Sequence, residues 1–139
     1  MAMAAPALPF LDTNVLLYLL SADAAKADRS EALLASGAVI GVQMLNEFAS
    51  VARKKLGMAW KEVDEVLALI RKRCAVRDLT VAIHERALAL AVRHRLSWDD
   101  ALIVAAAIDA GSAVLYSEDM QDGMKIGGRL VIRNPFATV

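Results

Sequence analysis

Cysteine is nearly missing from this chain of 139 residues; Cys74 is the only one, so no intrachain disulfide can form. That fits a reducing cytoplasm, the expected location. A catalytic thiol is also unattractive, because Cys74 ends a helix-like segment whose apolar stripe it extends. Histidine is almost as scarce. His84 and His94 stand apart in one charge-rich helical segment and read as solvated surface, so there is no cysteine or histidine cluster for zinc. Net charge is absent too: sixteen basic residues balance sixteen acidic ones. No whole-molecule field therefore draws a polyanion, and any contact with nucleic acid must come from local patches. No apolar run reaches the roughly 20 residues needed to span a bilayer. The start, MAMAAPALPFL, is apolar but lacks a basic opening and ends at Asp12. It reads as a short flexible tail, residues 1–7, followed by a strand, and not as a secretion signal. A glycine-rich phosphate loop of the P-loop or dinucleotide kind is also missing. Without a linker, repeat or low-complexity tract, residues 1–139 read as one domain.

What the chain does have is aliphatic residues. Hydrophobic residues make up 58% of it and aromatics 5%, so the core is built from Ala, Leu, Val and Ile. Short apolar runs alternate with helical patterns, which argues for a central, mostly parallel sheet flanked by helices. Strands are expected at Leu8–Leu11, Val39–Val42, Val76–Leu79, Ala113–Tyr116 and, at an edge, Leu130–Arg133. Helices are expected over Asn14–Leu20, Ala24–Ser36, Gln43–Leu56, Trp60–Cys74, Thr80–Arg95 and Trp98–Ala110. Gly37, Gly57 and Gly111 suit helix stops. Thr80 and Ser97 suit N-caps. From Ala101 to Ile108 every residue is apolar, which predicts a helix buried on nearly all sides.

Four acids stand out against this background. Asp12 ends the first strand and opens a helix, where a cap and a metal ligand are equally good readings and are compatible. Thr13 and Asn14 can donate hydrogen bonds that fix its rotamer. Glu47 lies at the border of the apolar stripe formed by Met44, Leu45, Phe48, Val51 and Ala52; taken alone, it reads as a boundary residue pairing with Arg53 or Lys54. Asp100 follows Ser97 by three residues, close to a capping box. It is preferred over Asp99 because the apolar run begins directly after it. Asp119 follows the strand AVLYS, and turn chemistry is its ordinary explanation. Ser117, Glu118 and Asp122 lie nearby as supporting polar groups.

Each signal is weak alone, and their joint placement carries the argument. In open α/β sheets ligands gather beyond the carboxyl ends of strands, where Asp12 and Asp119 fall. Two carboxylates about 4 Å apart repel by roughly 4 kcal/mol at an effective dielectric near 20. Four in one cleft call for a cation. Mg²⁺ suits oxygen ligands and keeps several waters, and Mn²⁺ has similar preferences. Such a site can activate water and neutralise a phosphodiester during an in-line displacement.

The segments LDTN, NEF, SWDDALIVAAA and LYSEDMQDG, in this order and spacing, resemble the PIN-domain ribonucleases. They are especially similar to the VapC-type toxins of bacterial type II toxin–antitoxin modules. The likeness runs from about Phe10 to Phe136. It implies a three-layer α/β/α fold and a Mg²⁺- or Mn²⁺-dependent endoribonuclease. On that pattern Asp12, Glu47, Asp100 and Asp119 are the metal-holding catalytic acids, and Asp122 is a possible fifth. Asp99 departs from it, standing where the family often has an aromatic or apolar residue. The resemblance further implies an RNA substrate, a cognate small antitoxin and a homodimer. The apolar stripe Trp60–Ile70 is a candidate dimer surface, and simple internal packing is its plain alternative.

Basic clusters occur at Arg53-Lys54-Lys55, Arg71-Lys72-Arg73 and Arg93-His94-Arg95. All lie near helix C-termini, where the helix dipole favours cations. Arg53, Lys54 and Lys55 share a helix with Glu47 and are the expected RNA contacts. Two other readings remain open. A phosphatase of the haloacid-dehalogenase type would use Asp12 as nucleophile, but Asn14 occupies the place where a second acid is expected. A non-catalytic domain binding RNA or protein would need none of the four acids.

Overall fold

The computed structural model describes residues 7–137, so the expected tail lies outside the described residues except for Ala7. A single six-stranded sheet organises the molecule, in the order β3-β2-β1-β4-β6-β5. The strands are β1 Phe10–Leu11, β2 Ala38–Gly41, β3 Cys74–Arg77, β4 Val114–Tyr116, β5 Lys125–Ile126 and β6 Leu130–Arg133. All neighbouring pairs are parallel except β5 with β6. Its central members are apolar on both faces: Phe10, Leu11, Ala38, Ile40, Leu115 and Ile132 are fully buried. Such two-sided burial is what a parallel sheet covered by helices requires.

The helices are α1 Thr13–Leu17, α2 Ala24–Ser36, α3 Val42–Lys54, α4 Trp60–Arg73, α5 Val81–His94 and α6 Trp98–Asp109, with a 3-10 turn at Tyr18–Leu20. Helices α1 to α4 pack on one another, and α5 packs along α6. The result is three layers, α/β/α. Caps fall where local chemistry puts them. Thr80 Oγ1 accepts the Ile83 N–H at 3.2 Å, and Ser97 Oγ accepts the Asp100 N–H at 3.2 Å. Helix α5 ends on Arg95 in the left-handed region, φ 54°, a place more often given to glycine. Ala101 and Ile103–Ala107 are buried, as the unbroken apolar run requires.

Three expectations are corrected. Strand β3 begins at Cys74, and α4 stops at Arg73. Leu130–Arg133 is not the sheet edge; it lies between β4 and the two-residue β5, which caps that side. The stripe Trp60–Ile70 is not a free surface, because Val63 and Ile70 are in the core and Val66 and Leu67 pack against it. Of that helix's large apolar side chains, only Trp60 and Leu69 remain well exposed. No described helix is long and apolar enough to cross a membrane.

The topology fixes where a site can form. From β1 the chain moves outward to β2 and β3, then returns to the other side of β1 as β4. The direction of winding therefore reverses between β1 and β4. A crevice opens beyond the carboxyl ends of such a strand pair.

Candidate active site

Asp12 stands in that crevice. Its N–H continues the ladder from β1 to Tyr116 O at 3.0 Å, so its backbone is part of the sheet. Its side chain is 5% exposed and caps α1: Oδ1 accepts the Thr13 N–H at 2.6 Å. Oδ2 accepts from Ser117 Oγ at 2.7 Å and, more loosely, from Asn14 Nδ2 at 3.3 Å. The two readings left open by the sequence, cap and functional acid, are thus both available to one side chain.

Asn14 ties the two strand ends together. Its Nδ2 also donates to Asp119 Oδ2 at 3.0 Å, and its Oδ1 accepts the Glu118 N–H at 3.2 Å. Ser117, fully buried just past β4, accepts the Asp119 N–H at 3.2 Å while donating to Asp12. Glu47 reaches the same place from α3, where Thr13 Oγ1 donates to its Oε2 at 2.6 Å. Consecutive residues 12–14 thereby hold carboxylates from β1, α3 and the β4 exit around one opening. Asp12, Glu47 and Asp119 line a cleft of about 310 Å³, closed by Leu17, Ser50 and Val51.

The electrostatics of this cleft are strained in one direction. The Asp12 carboxyl is pushed up from 3.8 to about 6, first by burial and further by the charges of Asp119 and Glu47. The hydrogen bonds from Ser117 and the Thr13 N–H oppose the shift without cancelling it. A buried acid whose anionic form is disfavoured by its neighbours is the arrangement a cation relieves. The donor set is all oxygen, which suits Mg²⁺ or Mn²⁺ and not zinc. Among the described residues, no group of three or more Asp, Glu, His or Cys side chains is arranged to hold an ion directly. Mg²⁺ tolerates that, because it keeps several waters and takes one or two carboxylates. The residues present therefore fit such an ion.

The other expected residues fall elsewhere. Asp100 sits half-buried in the first turn of α6 and does not line the cleft. Asp99 beside it is exposed. Asp122 is exposed and accepts the Asn134 N–H at 3.0 Å, steadying the turn after β6. Arg53 is committed to its own loop, donating to Met58 O at 3.0 Å and lying 5.1 Å from the Trp60 ring centroid. Lys54 and Lys55 are exposed. Burial raises the Cys74 thiol to about 11, far from a thiolate at neutral pH. His84 is exposed and packs edge-on against Trp98, while His94 is half-buried. Asn14, where the phosphatase reading needs an acid, is occupied as an amide bridge.

Two features escaped the sequence reading. Ser50 lines the cleft one turn after Glu47, on the same face of α3, and its spacing was a usable signal. Beside the cleft, Tyr18 donates to Glu118 Oε1 at 2.6 Å, and Lys26 donates to Glu118 Oε2 at 3.0 Å and to the Tyr18 hydroxyl at 3.1 Å. The Tyr18 bond first, and Lys26 after it, lower the Glu118 pKa. A larger cavity of about 390 Å³ lies between α2 and α4, but its walls are mainly Leu, Ala and Val, with one Glu and one Arg. Chemistry, not size, marks the smaller cleft as the site.

Known proteins share this architecture. A toxin–antitoxin complex from Klebsiella pneumoniae contains a chain superposing with a TM-score of 0.70 at 20% identity, covering 94% of this chain and 99% of that one. VapC20 of Mycobacterium tuberculosis, a sarcin-ricin loop cleaving toxin, gives a TM-score of 0.63 at 23% identity over 80% of this chain and 91% of its own. VapBC2 of Rickettsia felis, solved bound to a DNA fragment from its promoter, gives 0.67 at 18% identity, with coverages of 91% and 97%. At these identities the likeness speaks for the fold. No curated protein sequence matches significantly. The PIN domain family model, however, matches residues 10–122, from the first strand through the turn beyond Asp119, and on that match the chain belongs to the PIN domain family.

Proposed function

We propose that this protein is a Mg²⁺- or Mn²⁺-dependent endoribonuclease, the toxin of a toxin–antitoxin module. One observation supports this most: buried Asp12, its pKa raised to about 6, shares a cleft with Asp119 and Glu47 where β1 and β4 part. Membership of the PIN domain family and the VapC toxins among its structural neighbours support the same reading. Asp12 and Asp119, with Glu47, would hold the cation. When bound, a divalent cation supplies Lewis-acid activation of water and charge neutralisation at the phosphodiester. The chain's own residues do the rest. Thr13 fixes Asp12 through its N–H and Glu47 through its hydroxyl. That bond on Oε2 leaves Glu47 Oε1 without a donor of its own, available to the ion or to a water it carries. Asn14 sets the spacing of Asp12 and Asp119 by donating to both. Asp100, which the resemblance adds to the set, stands at the head of α6 outside the cleft lining, and its part in the reaction rests on the resemblance alone.

The neighbours from Klebsiella and Rickettsia are toxin–antitoxin assemblies, and a cognate antitoxin belongs to the proposal for this chain. So does a cytoplasmic location, where RNA is the substrate. The homodimer belongs to it as well. Its surface is the outer face of α5, where Val81, Leu88 and Val92 are 73%, 50% and 83% exposed.

The test is incubation with tRNA, rRNA and mRNA fragments in Mg²⁺, Mn²⁺ or chelator, with mapping of the cut ends. Discrete cuts are expected with metal and none with chelator. Asp12→Asn and Asp119→Asn should each abolish them, and Asp100→Asn tests whether the head of α6 joins the site. Unchanged cutting in chelator would exclude the ion, and unchanged cutting by Asp12→Asn would exclude the site.

A further inference from the structure

The acidic cleft has an annex. A second chamber of about 340 Å³ adjoins it and shares Asn14, Leu17, Val51 and Asp119 as common walls. Beyond them the lining is mixed: Leu20 and Leu56 are apolar, and Tyr18, Ser21 and Glu118 add polar groups. Leu56 is 52% exposed, just past the end of α3. The core does not need it there. Its side chain instead joins Leu17, Leu20 and Val51 in one concave lining beside the charged site, the mixed apolar and polar arrangement in which ligands bind.

We propose that this annex receives one unpaired nucleobase of the RNA, the base flanking the phosphodiester held at Asp12 and Asp119. The proposal rests on the ribonuclease reading of the cleft. Charge decides which part of a nucleotide enters. The lining has no cationic side chain, and the nearby Lys26 is already paired with Glu118, so no free cation draws a phosphate into it. A base carries no charge, has apolar faces for Leu17, Leu20, Val51 and Leu56, and has polar edges for the hydroxyls and carboxylates. Access also bears on this: a base in a duplex must first unpair and unstack, so a single-stranded or looped substrate is favoured at this point. The wall is already in place. Glu118 is held at both carboxylate oxygens by Tyr18 and Lys26, and its N–H is held by Asn14. The ring of Tyr18 is itself fixed edge-on against Phe136, with centroids 4.6 Å apart. Little ordering remains to be done on binding.

The experiment uses an oligoribonucleotide with one mapped cut. Each nucleotide flanking the cut is replaced in turn by an abasic residue. One replacement should lower wild-type kcat/KM about tenfold or more, as loss of a filled apolar pocket does, and the other should not. Leu56→Glu should lower kcat/KM on the intact oligonucleotide by a similar factor and add nothing on that abasic one, with unchanged thermal stability. As a second readout, 2-aminopurine at the sensitive position should change fluorescence on binding Asp12→Asn protein and fail to do so when Leu56→Glu is added. Equal cleavage of intact and abasic RNA by the wild type, or a Leu56→Glu loss that is the same on both, would overturn the annex and leave the nuclease standing. Failure of the wild type to cut any RNA with Mg²⁺ or Mn²⁺ would overturn the nuclease reading, and the annex with it.

Discussion

Replacing Asp12 by Asn should make the metal-free protein more stable at neutral pH, although it removes the central acid. In the folded state the carboxyl titrates at about 6 against an ordinary value of 3.8. That gap of about 2 units is worth roughly 3 kcal/mol. The folded state binds the proton more tightly, so between about pH 4 and pH 6 it carries more protons than the unfolded chain. Stability therefore falls as pH rises through that window. The full penalty is present above about pH 7 and absent below about pH 4. Asn carries no charge at any pH and escapes the penalty. Against this gain stands a hydrogen-bond loss. Three donors converge on the two oxygens of Asp12, and the amide offers only one. The Ser117 hydroxyl can rotate to accept, while the Asn14 amide keeps its bond to Asp119, so the loss is about 1 kcal/mol. The expected net gain is about 2 kcal/mol at pH 7.5, shrinking to a small deficit at pH 4. Urea unfolding in chelator at pH 4, 5, 6 and 7.5 measures it. Saturating Mg²⁺ should reverse the order, adding about 2.7 kcal/mol to the wild type at 100 times Kd and little to the variant. A variant less stable than wild type at pH 7.5, with the same dependence on pH, would refute the reasoning.

Three further outcomes are expected. Cys74, buried and with its thiol pushed up to about 11, should resist iodoacetamide in the folded protein at pH 7.5 and react on unfolding; mass spectrometry reads this directly. Lys54→Gln with Lys55→Gln should weaken RNA binding and flatten its salt dependence by about one to two phosphate contacts, while Arg53→Gln should act mainly on stability through its lost Met58 bond; titration at several salt concentrations separates them. Leu88→Glu on the outer face of α5 should shift sedimentation toward monomer while leaving the helical circular dichroism of the fold intact, because that side chain is half exposed in the single chain.

Much of this could be read before any coordinates, for reasons that differ by element. Helix α2 and strand β6 lie at the expected residues because a cap or turn residue marks their limits. Helix α6 was legible because a wholly apolar run behind Ser97 has no other stable use. The boundary at Cys74 was not, since a side chain at that point is buried whether it ends a helix or opens a strand. Strand β5 has two residues and exists only through its pairing with β6, which no local pattern announces. In the site, Asp12 and Asp119 are legible as acids at strand ends, whereas Glu47, alone a boundary residue expected to pair with Arg53 or Lys54, enters the set only through the family resemblance. The Tyr18–Glu118–Lys26 cluster was not, because its members meet across 100 and 92 residues of chain. Sequence alone makes Asn14 a support for Asp12; its grip on Asp119 depends on two strand ends becoming neighbours.

The Asp12 amide bonded to Tyr116 has an implication for how such a protein can vary. One acid is welded into the middle of the ladder, and mutations that loosen its setting must loosen the whole molecule. Glu47 rides on a helix, and Leu56 stands at an open turn beyond it. Natural drift in what is cut should therefore collect at those outer positions, while the innermost acid and its strand stay frozen.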